Sequence, residues 1–429
     1  MSNANSSQPD PALPGWLGFL LAALVLSGLV RFGDSWPGID FYQFWLVGRD
    51  VHGRYDADPY EATARAELGK RGLAEAREQR RTATEPSQHL PVAEYRQALE
   101  VYSTPLLYGT VGAVATDHYE HDKRNWQRAM LALYAVAVLL LGRAFGMGWG
   151  AACLCIAAFA MSSEPLLAEL GNGNVNAVLL FSLSLCLLAW SRERYALGAM
   201  ALGLGLCFKP LLWLAVLPVI LRWAFARESR PLFLSGLGLG LGVVAGIALG
   251  AWLGGGFSMW QHWLGAARDL ALGAQDYPDN FAPLARIERW FSLSIPGWLP
   301  PLAVLLIAGL RAWWRRGLAV RDAEACEWLA WGALLCLVIS PLVWIHYLLL
   351  AIPLLMAAWT TDSGPVRIGA LVAGFCLASQ PLTMLMGWRE HDTRSLPVLL
   401  AMLLLVWIGL FVETPGIAAY AGAKQGDAK

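Results

Sequence analysis

The chain has 429 residues, 57% hydrophobic and only 15% charged, with a mean hydropathy of +0.47. Soluble domains run at roughly 45–50% apolar and about 25% charged, so a cytosolic globular protein is excluded. Lys plus Arg and Asp plus Glu balance at 32 each, which excludes a nucleic-acid binder resting on bulk positive charge, and the high apolar content excludes a disordered chain.

The charges are unevenly placed: residues 49–100 hold 19 of the 64, and residues 1–30 hold only Asp10. Elsewhere long apolar stretches alternate with short polar ones. A hydrocarbon core about 30 Å thick takes about 20 helical residues. The pattern predicts an all-α fold: one integral membrane domain over residues 1–429, a polytopic transmembrane helical bundle of about 11–13 membrane segments, with interfacial helices in two outer loops, 32–100 and 256–292. A transmembrane barrel is excluded because its strands would alternate polar and apolar.

In chain order, WLGFLLAALVLSGLV (16–30) predicts the first helix, and without a basic n-region it reads as a retained anchor. GIDFYQFWLVGRDVHG (38–53), aromatic on one flank, predicts a helix lying in the membrane interface, with Asp40 and Gln43 fitting a D-x-x-Q capping box at its start. EATARAELGKRGLAEAREQRR (61–81) predicts a solvated or membrane-surface helix. Apolar segments follow near 103–116, 129–145, 149–168, 174–190, 195–208, 211–226 and 232–254, and after the second polar stretch near 297–313, 326–344, 343–360, 366–385 and 395–412. Ser340-Pro341 breaks the 326–360 stretch in two.

Gly238, Gly242, Gly246, Gly250 and Gly254 recur every fourth residue, a small-residue ridge for close helix packing. Gly238, Gly240 and Gly242 do not make a phosphate loop, since no strand precedes them. The seven cysteines, odd in number and without a Cys-x-x-Cys pair, read as buried free thiols, with no disulfide framework and no metal site.

Loops rich in Lys and Arg face the cytoplasm. Arg222, Arg227 and Arg230 flank one such loop, Arg311, Arg315, Arg316 and Arg321 another, and the tail carries Lys424 and Lys429. Counting from these loops puts 256–292 and Ser340–His346 outside. Counting from a cytoplasmic N-terminus gives the opposite parity, so one segment between 103 and 254 does not span, and 103–116, short and proline-bearing, is the weakest.

This topology gathers Asp40, Lys209, the Arg286/Arg289 pair and His346 on one side. Ionisable groups at membrane depth are functional candidates by default. Each also has a plain reading: Asp40 as a helix cap, Lys209 snorkelling to the interface, His346 as an interfacial histidine, Arg286 as a loop cation. His52, His262 and Asp276 show no partner pattern. Together, one carboxylate and several cations suit transfer from a lipid-linked phosphate: the cations hold the phosphate, and the carboxylate takes the proton of an acceptor hydroxyl.

GIDFYQFW, YSTPLLYG (102–109), GNGNVNAVLL (171–180), KPLLWLAVLPVILRW (209–223) and SPLVWIHYLLLAIPLL (340–355) occur in the order seen in glycosyltransferase family 87, and the chain resembles that family in islands over residues 38–355. The family belongs to the C-type membrane glycosyltransferases and includes polyprenyl-phosphate-mannose-dependent mannosyltransferases of bacterial envelopes. The resemblance implies an inverting transfer of a sugar, usually mannose, from a polyprenyl-monophosphate donor to a glycolipid or glycan acceptor. It places the reaction on the periplasmic or extracytoplasmic face of a bacterial inner membrane, with membrane lipids as partners and no nucleic acid. Asp40 falls at the position of the family's catalytic base, Lys209 at its lysine before proline, His346 at its histidine after Ser-Pro, and Arg286 at an arginine of the second outer loop. His346 thus stands as both a catalytic and a donor-phosphate residue, with Lys209 and Arg286 on the phosphate. The family's Tyr-Pro-Pro is Ser103-Thr104-Pro105 here, and its Gly-Gln-x-Asn is Gly171-Asn172-Gly173-Asn174. No cofactor is implied, and only Asp34 lies near enough to Asp40 to suggest a metal pair. The competing readings are a membrane transporter or lipid flippase, for which the matching halves common in such proteins are missing, and a non-catalytic scaffold.

Overall fold

The first helix, α1 (Gly15–Ser35), is apolar enough to cross a membrane. The structure is a computed structural model and describes residues 15–51, 58–82, 87–162, 164–273, 280–318, 320, 324–361, 363–377 and 391–412. His52, Asp276, Arg321, residues 378–385 and the tail with Lys424 and Lys429 lie outside the described residues. Every regular element among the described residues is helical. The chain folds as a helical membrane bundle.

Two apolar cores organise it. The larger fills the bundle; the smaller sits under a polar cap made by residues 36–120. In the cap, α2 (Ile39–Arg49) is followed by α3 (Ala62–Thr82), α4 (His89–Tyr95) and α5 (Pro105–Val114). The helix expected at 38–53 does not turn its aromatic flank to lipid: every residue from Phe41 to Arg49 is buried. Its aromatic side chains meet protein, not lipid. Phe41 stacks on Tyr119 and Trp126, Trp45 meets His89 edge-on, and Phe44 meets Tyr108. The predicted surface helix is α3, whose Leu68, Gly69, Gly72, Leu73 and Ala76 face inward while its charges face out. Small residues on that face let it lie close; a Cβ at Gly72 would crowd the Tyr42 hydroxyl and Leu46.

The D-x-x-Q capping box is not formed. Gly38, in the left-handed region at φ 71°, caps α2, and Asp40 lies within its first turn. Gln43 instead uses Oε1 to accept from the Glu100 amide at 2.6 Å. α5 is capped by Thr104, whose hydroxyl accepts from the Leu107 amide and donates to the Phe208 carbonyl. At ten residues, α5 is about 15 Å long, half the hydrocarbon thickness.

α6 (Tyr119–Ala144) is long enough to span. The single segment expected at 149–168 is two helices, α7 (Trp149–Ser162) and α8 (Glu164–Asn172), bent by 73°. α8 turns into the protein and ends at the Gly-Asn-Gly-Asn turn, from which α9 (Asn176–Trp190) departs. α10 (Tyr195–Phe208) ends at Lys209, which is extended (φ −157°, ψ 112°) as a residue before proline must be. A 3-10 turn and α11 (Leu217–Ala226) follow. α12 (Ser229–Leu253) carries the glycine ridge against α10: a Cβ at Gly238 would strike the Ala196 carbonyl, and one at Gly242 the Met200 carbonyl. The ridge thereby sets the position of α10 and of the lysine at its end.

The second polar stretch holds α13 (Ser258–Gly273) and α14 (Pro283–Phe291). His262, without a partner pattern in the sequence, pairs with Asp58 at 2.6 Å and joins this stretch to the cap. α15 (Leu299–Trp314) and α16 (Glu324–Ile339) lead to the Ser340-Pro341 break, and the chain resumes as a 3-10 turn, Ile345–Ala351, continued by α17 (Ile352–Thr360). α18 (Gly364–Leu377) and α19 (His391–Phe411) close the bundle.

Candidate active site

The site lies where three helix interruptions meet the first turn of α2. They are the Gly-Asn-Gly-Asn turn before α9, the Lys209-Pro210 bend and the Ser340-Pro341 break. α6 holds the first of these in register. Its Tyr119 hydroxyl donates to the Pro37 and Gly38 carbonyls, Lys123 Nζ to the Trp36 carbonyl at 2.9 Å, and Trp126 Nε1 to the Gly173 carbonyl at 3.0 Å. Gly38 donates its amide to the Gly171 carbonyl at 3.0 Å, tying α2 to the turn. Gly173 is left-handed (φ 69°), and a Cβ there would lie 2.6 Å from that of Phe41. Only glycine allows the turn to lie this close to α2.

Asn174 is the joint of the site. Its Nδ2 donates to Asp40 Oδ2 at 2.7 Å. Its Oδ1 accepts from Lys209 Nζ at 3.2 Å, from the Val175 amide at 2.7 Å and from Asn176 Nδ2 at 3.2 Å. Lys209 Nζ also donates to Asn176 Oδ1 at 3.1 Å. Behind them Glu169, fully buried, accepts from Asn176 Nδ2 at 2.8 Å and from the Ala177 amide at 3.0 Å. A carboxylate on the first amides of α9 is where a helix dipole favours one.

Asp40 Oδ1 faces the cap, 3.4 Å from Arg96 NH2, and Arg96 NH1 reaches Glu100 at 2.9 Å. Burial holds the Asp40 carboxyl above the usual carboxylate range, against the opposing pull of Arg96, the Asn174 hydrogen bond and Lys209. A carboxyl poised upward in this way is a better proton acceptor than an exposed one.

Lys209 Nζ sits 3.9 Å from the Tyr347 ring centroid, and the His346 ring packs edge-on against Tyr347 at 5.1 Å. His346 is 3% exposed, and neither ring nitrogen has a hydrogen-bond partner among the described residues. Buried polar atoms are rarely left so, and an anionic or hydroxyl-bearing ligand would satisfy them. Asp40, Lys209 and His346 therefore converge through Asn174 and Tyr347. Arg286, 1% exposed, is placed differently: its Nε donates to the Asn280 carbonyl at 2.8 Å, and Asn280 Nδ2 donates to the Pro341 carbonyl at 2.8 Å while its Oδ1 accepts from the Val343 amide at 2.9 Å. Asn280 thus links Arg286 to the segment that leads to His346. Its neighbour Arg289 is exposed. Asp34 pairs with Arg128 at 3.3 Å.

The family model of glycosyltransferase family 87 matches residues 118–341, just over half of the chain. The chain belongs to glycosyltransferase family 87. No curated protein and no solved structure matches it. The matched region of this family 87 chain holds α6, the Gly-Asn-Gly-Asn turn, Lys209 and Arg286; Asp40 and His346 flank it on either side.

Four members of the site escaped sequence reasoning. Arg96 and Glu100 lie in a mixed-charge stretch with no distinguishing spacing. Asn176 and Glu169 flank a motif noticed only for its departure from the family pattern. The signal available was polar residues, Asn174 and Asn176, at the head of an otherwise apolar helix.

Proposed function

We propose that the protein transfers a sugar, mannose by family default, from a polyprenyl-monophosphate donor to a hydroxyl of an envelope glycolipid or glycan, with inversion. Lys209 and His346 grip the donor phosphate, and Arg286 acts through Asn280 on the segment that presents His346. Asp40 removes the acceptor proton as the acceptor oxygen bonds to the anomeric carbon. The bond from that carbon to the phosphate oxygen breaks, and polyprenyl phosphate leaves with the electron pair, its charge met by Lys209.

The observation that carries this reading is the line from Asp40 through Asn174 to Lys209, with the unpartnered His346 ring beside it. A carboxylate and an ammonium on opposite ends of one carboxamide suit a displacement between an incoming hydroxyl and a departing phosphate. The site is read as non-cytoplasmic: Lys209 precedes the apolar Pro210–Ala226 segment, and Arg222, bonded to Glu324 at 2.7 Å, lies near its other end.

The test is transfer of labelled sugar from polyprenyl-phosphate mannose in membranes, wild type against Asp40→Asn at equal expression. The substitution keeps the shape and removes the base. Transfer should fall by about 10²–10³-fold or more. An Asp40→Asn protein as active as wild type would end the assignment.

A further inference from the structure

Asp40 has two oxygens in different surroundings. Oδ2 faces inward, held at 2.7 Å by Asn174 next to Lys209. Oδ1 faces the cap, where among the described residues it meets only the long 3.4 Å approach of Arg96. In a displacement that rests on the proposed function, the acceptor hydroxyl must stand on the side away from the leaving phosphate. With the phosphate at Lys209, Tyr347 and His346, that side is the cap.

What lines the cap there is specific. Arg96 and Glu100 form an ion pair at 2.9 Å, with side-chain exposures of 16% and 38%, and Asp40 at 19% completes the row. The Glu100 backbone is fixed by Gln43, so the row is anchored to α2. Arg96 Nε is buried and has no hydrogen-bond partner among the described residues. Tyr95, at 70% exposure, stands with its ring centroid 5.4 Å from the Arg96 guanidinium.

We propose that Tyr95, Arg96 and Glu100 form the acceptor subsite, and that it takes an uncharged, polyhydroxylated group such as a sugar ring or a polyol headgroup. Arg96 only donates and Glu100 only accepts, whereas each hydroxyl does both. Neighbouring hydroxyls can therefore satisfy the spare Arg96 donor and the Glu100 carboxylate together. The exposed Tyr95 ring offers an apolar face to the C–H face of a sugar. A phosphate bears only acceptors and would face two carboxylates, Glu100 and Asp40. The hydroxyl seated here gives its proton to Asp40 Oδ1.

The experiment is saturation-transfer NMR on the full chain in lipid nanodiscs, with methyl α-mannopyranoside, methyl α-glucopyranoside and myo-inositol as probes. Wild type, Tyr95→Ala, Arg96→Gln and a control, Arg192→Gln, are compared. Tyr95 is exposed enough that its truncation leaves the fold intact. At least one probe should receive saturation from wild type and from the control. Its apparent affinity should drop by about tenfold in Tyr95→Ala and Arg96→Gln, and inorganic phosphate should not displace it. No signal from any probe in wild type, equal affinity in all four proteins, or displacement by phosphate would each overturn the proposal. Sugar-transfer assays separate it from the donor assignment. Polyol binding that depends on Tyr95 and Arg96, without transfer from polyprenyl-phosphate mannose, leaves the subsite standing and sinks that donor. Transfer with wild-type acceptor KM in both variants does the reverse.

Discussion

Replacing Asn174 should move the pH dependence of transfer, not only its rate. In Asn174→Ala, Asp40 loses the 2.7 Å hydrogen bond from Nδ2, and Lys209 loses one of its two carboxamide acceptors but keeps Asn176. A hydrogen bond to a charged group contributes about 1.5–3 kcal/mol, and one pKa unit is about 1.4 kcal/mol. The bond stabilises the ionised form of Asp40, so its loss raises a pKa that burial already holds high. As a general base Asp40 works only when ionised, and the rate rises with pH through its pKa. The acid limb of kcat/KM should therefore move to higher pH by about 1–2 units. Asn174→Asp sharpens the test. It keeps an oxygen for Lys209 but sets a carboxylate against Asp40, so the limb should shift at least as far while donor KM stays near wild type. The measurement is initial-rate labelled-sugar transfer across the pH range in membranes with matched protein levels. An acid limb unmoved in both variants would refute the coupling of Asn174 to the base, whatever the loss in rate.

The glycine ridge makes a contrast within one helix. Gly242→Val drives a side chain into the Met200 carbonyl, whereas Gly240→Val enters open space; overpacking costs about 1–3 kcal/mol, so only the first should lower the Tm of the purified protein. Gly173→Ala strains a left-handed residue and crowds Phe41; about 1–2 kcal/mol of strain at the turn bearing Asn174 should reduce kcat at unchanged abundance. His89, 2% exposed in the cap, has its pKa lowered by burial from 6.5 to about 4. Its neutral ring is favoured by folding, so its contribution is full above about pH 6.5 and is lost as pH falls toward 4, by up to about 3 kcal/mol; the hydrogen-exchange protection factor of the Arg96 amide, which bonds to the Val92 carbonyl, should fall over that window in wild type and not in His89→Gln.

The bundle was legible because hydropathy and chain breaks are local. The Lys209-Pro210 bend and the Ser340-Pro341 break follow from proline sterics, and the four-residue glycine spacing announces a close helix neighbour. The burial of α2 was not legible, since Phe41, Tyr42 and Trp45 would suit a lipid interface as well as a protein core; what decides is the partners Tyr119, Trp126 and His89, which lie far along the chain. The bend between α7 and α8 falls at Ser162-Ser163-Glu164-Pro165, a polar and proline-bearing break that a single apolar segment over 149–168 passes over. The same distance in sequence hid the chemistry around Asp40. Arg96 lies 56 residues away and Asn174 134, and nothing in a one-dimensional pattern joins them. The three interruptions at the site, the Gly-Asn-Gly-Asn turn, the Lys209-Pro210 bend and the Ser340-Pro341 break, share a physical logic. A helix interruption leaves backbone and side-chain polar groups that hydrocarbon cannot satisfy, so interruptions must collect where protein or a polar cavity receives them. In this chain they collect around a carboxylate, a lysine and an unpartnered histidine. The breaks themselves were therefore the best sequence-level pointer to the site, better than any single charged residue.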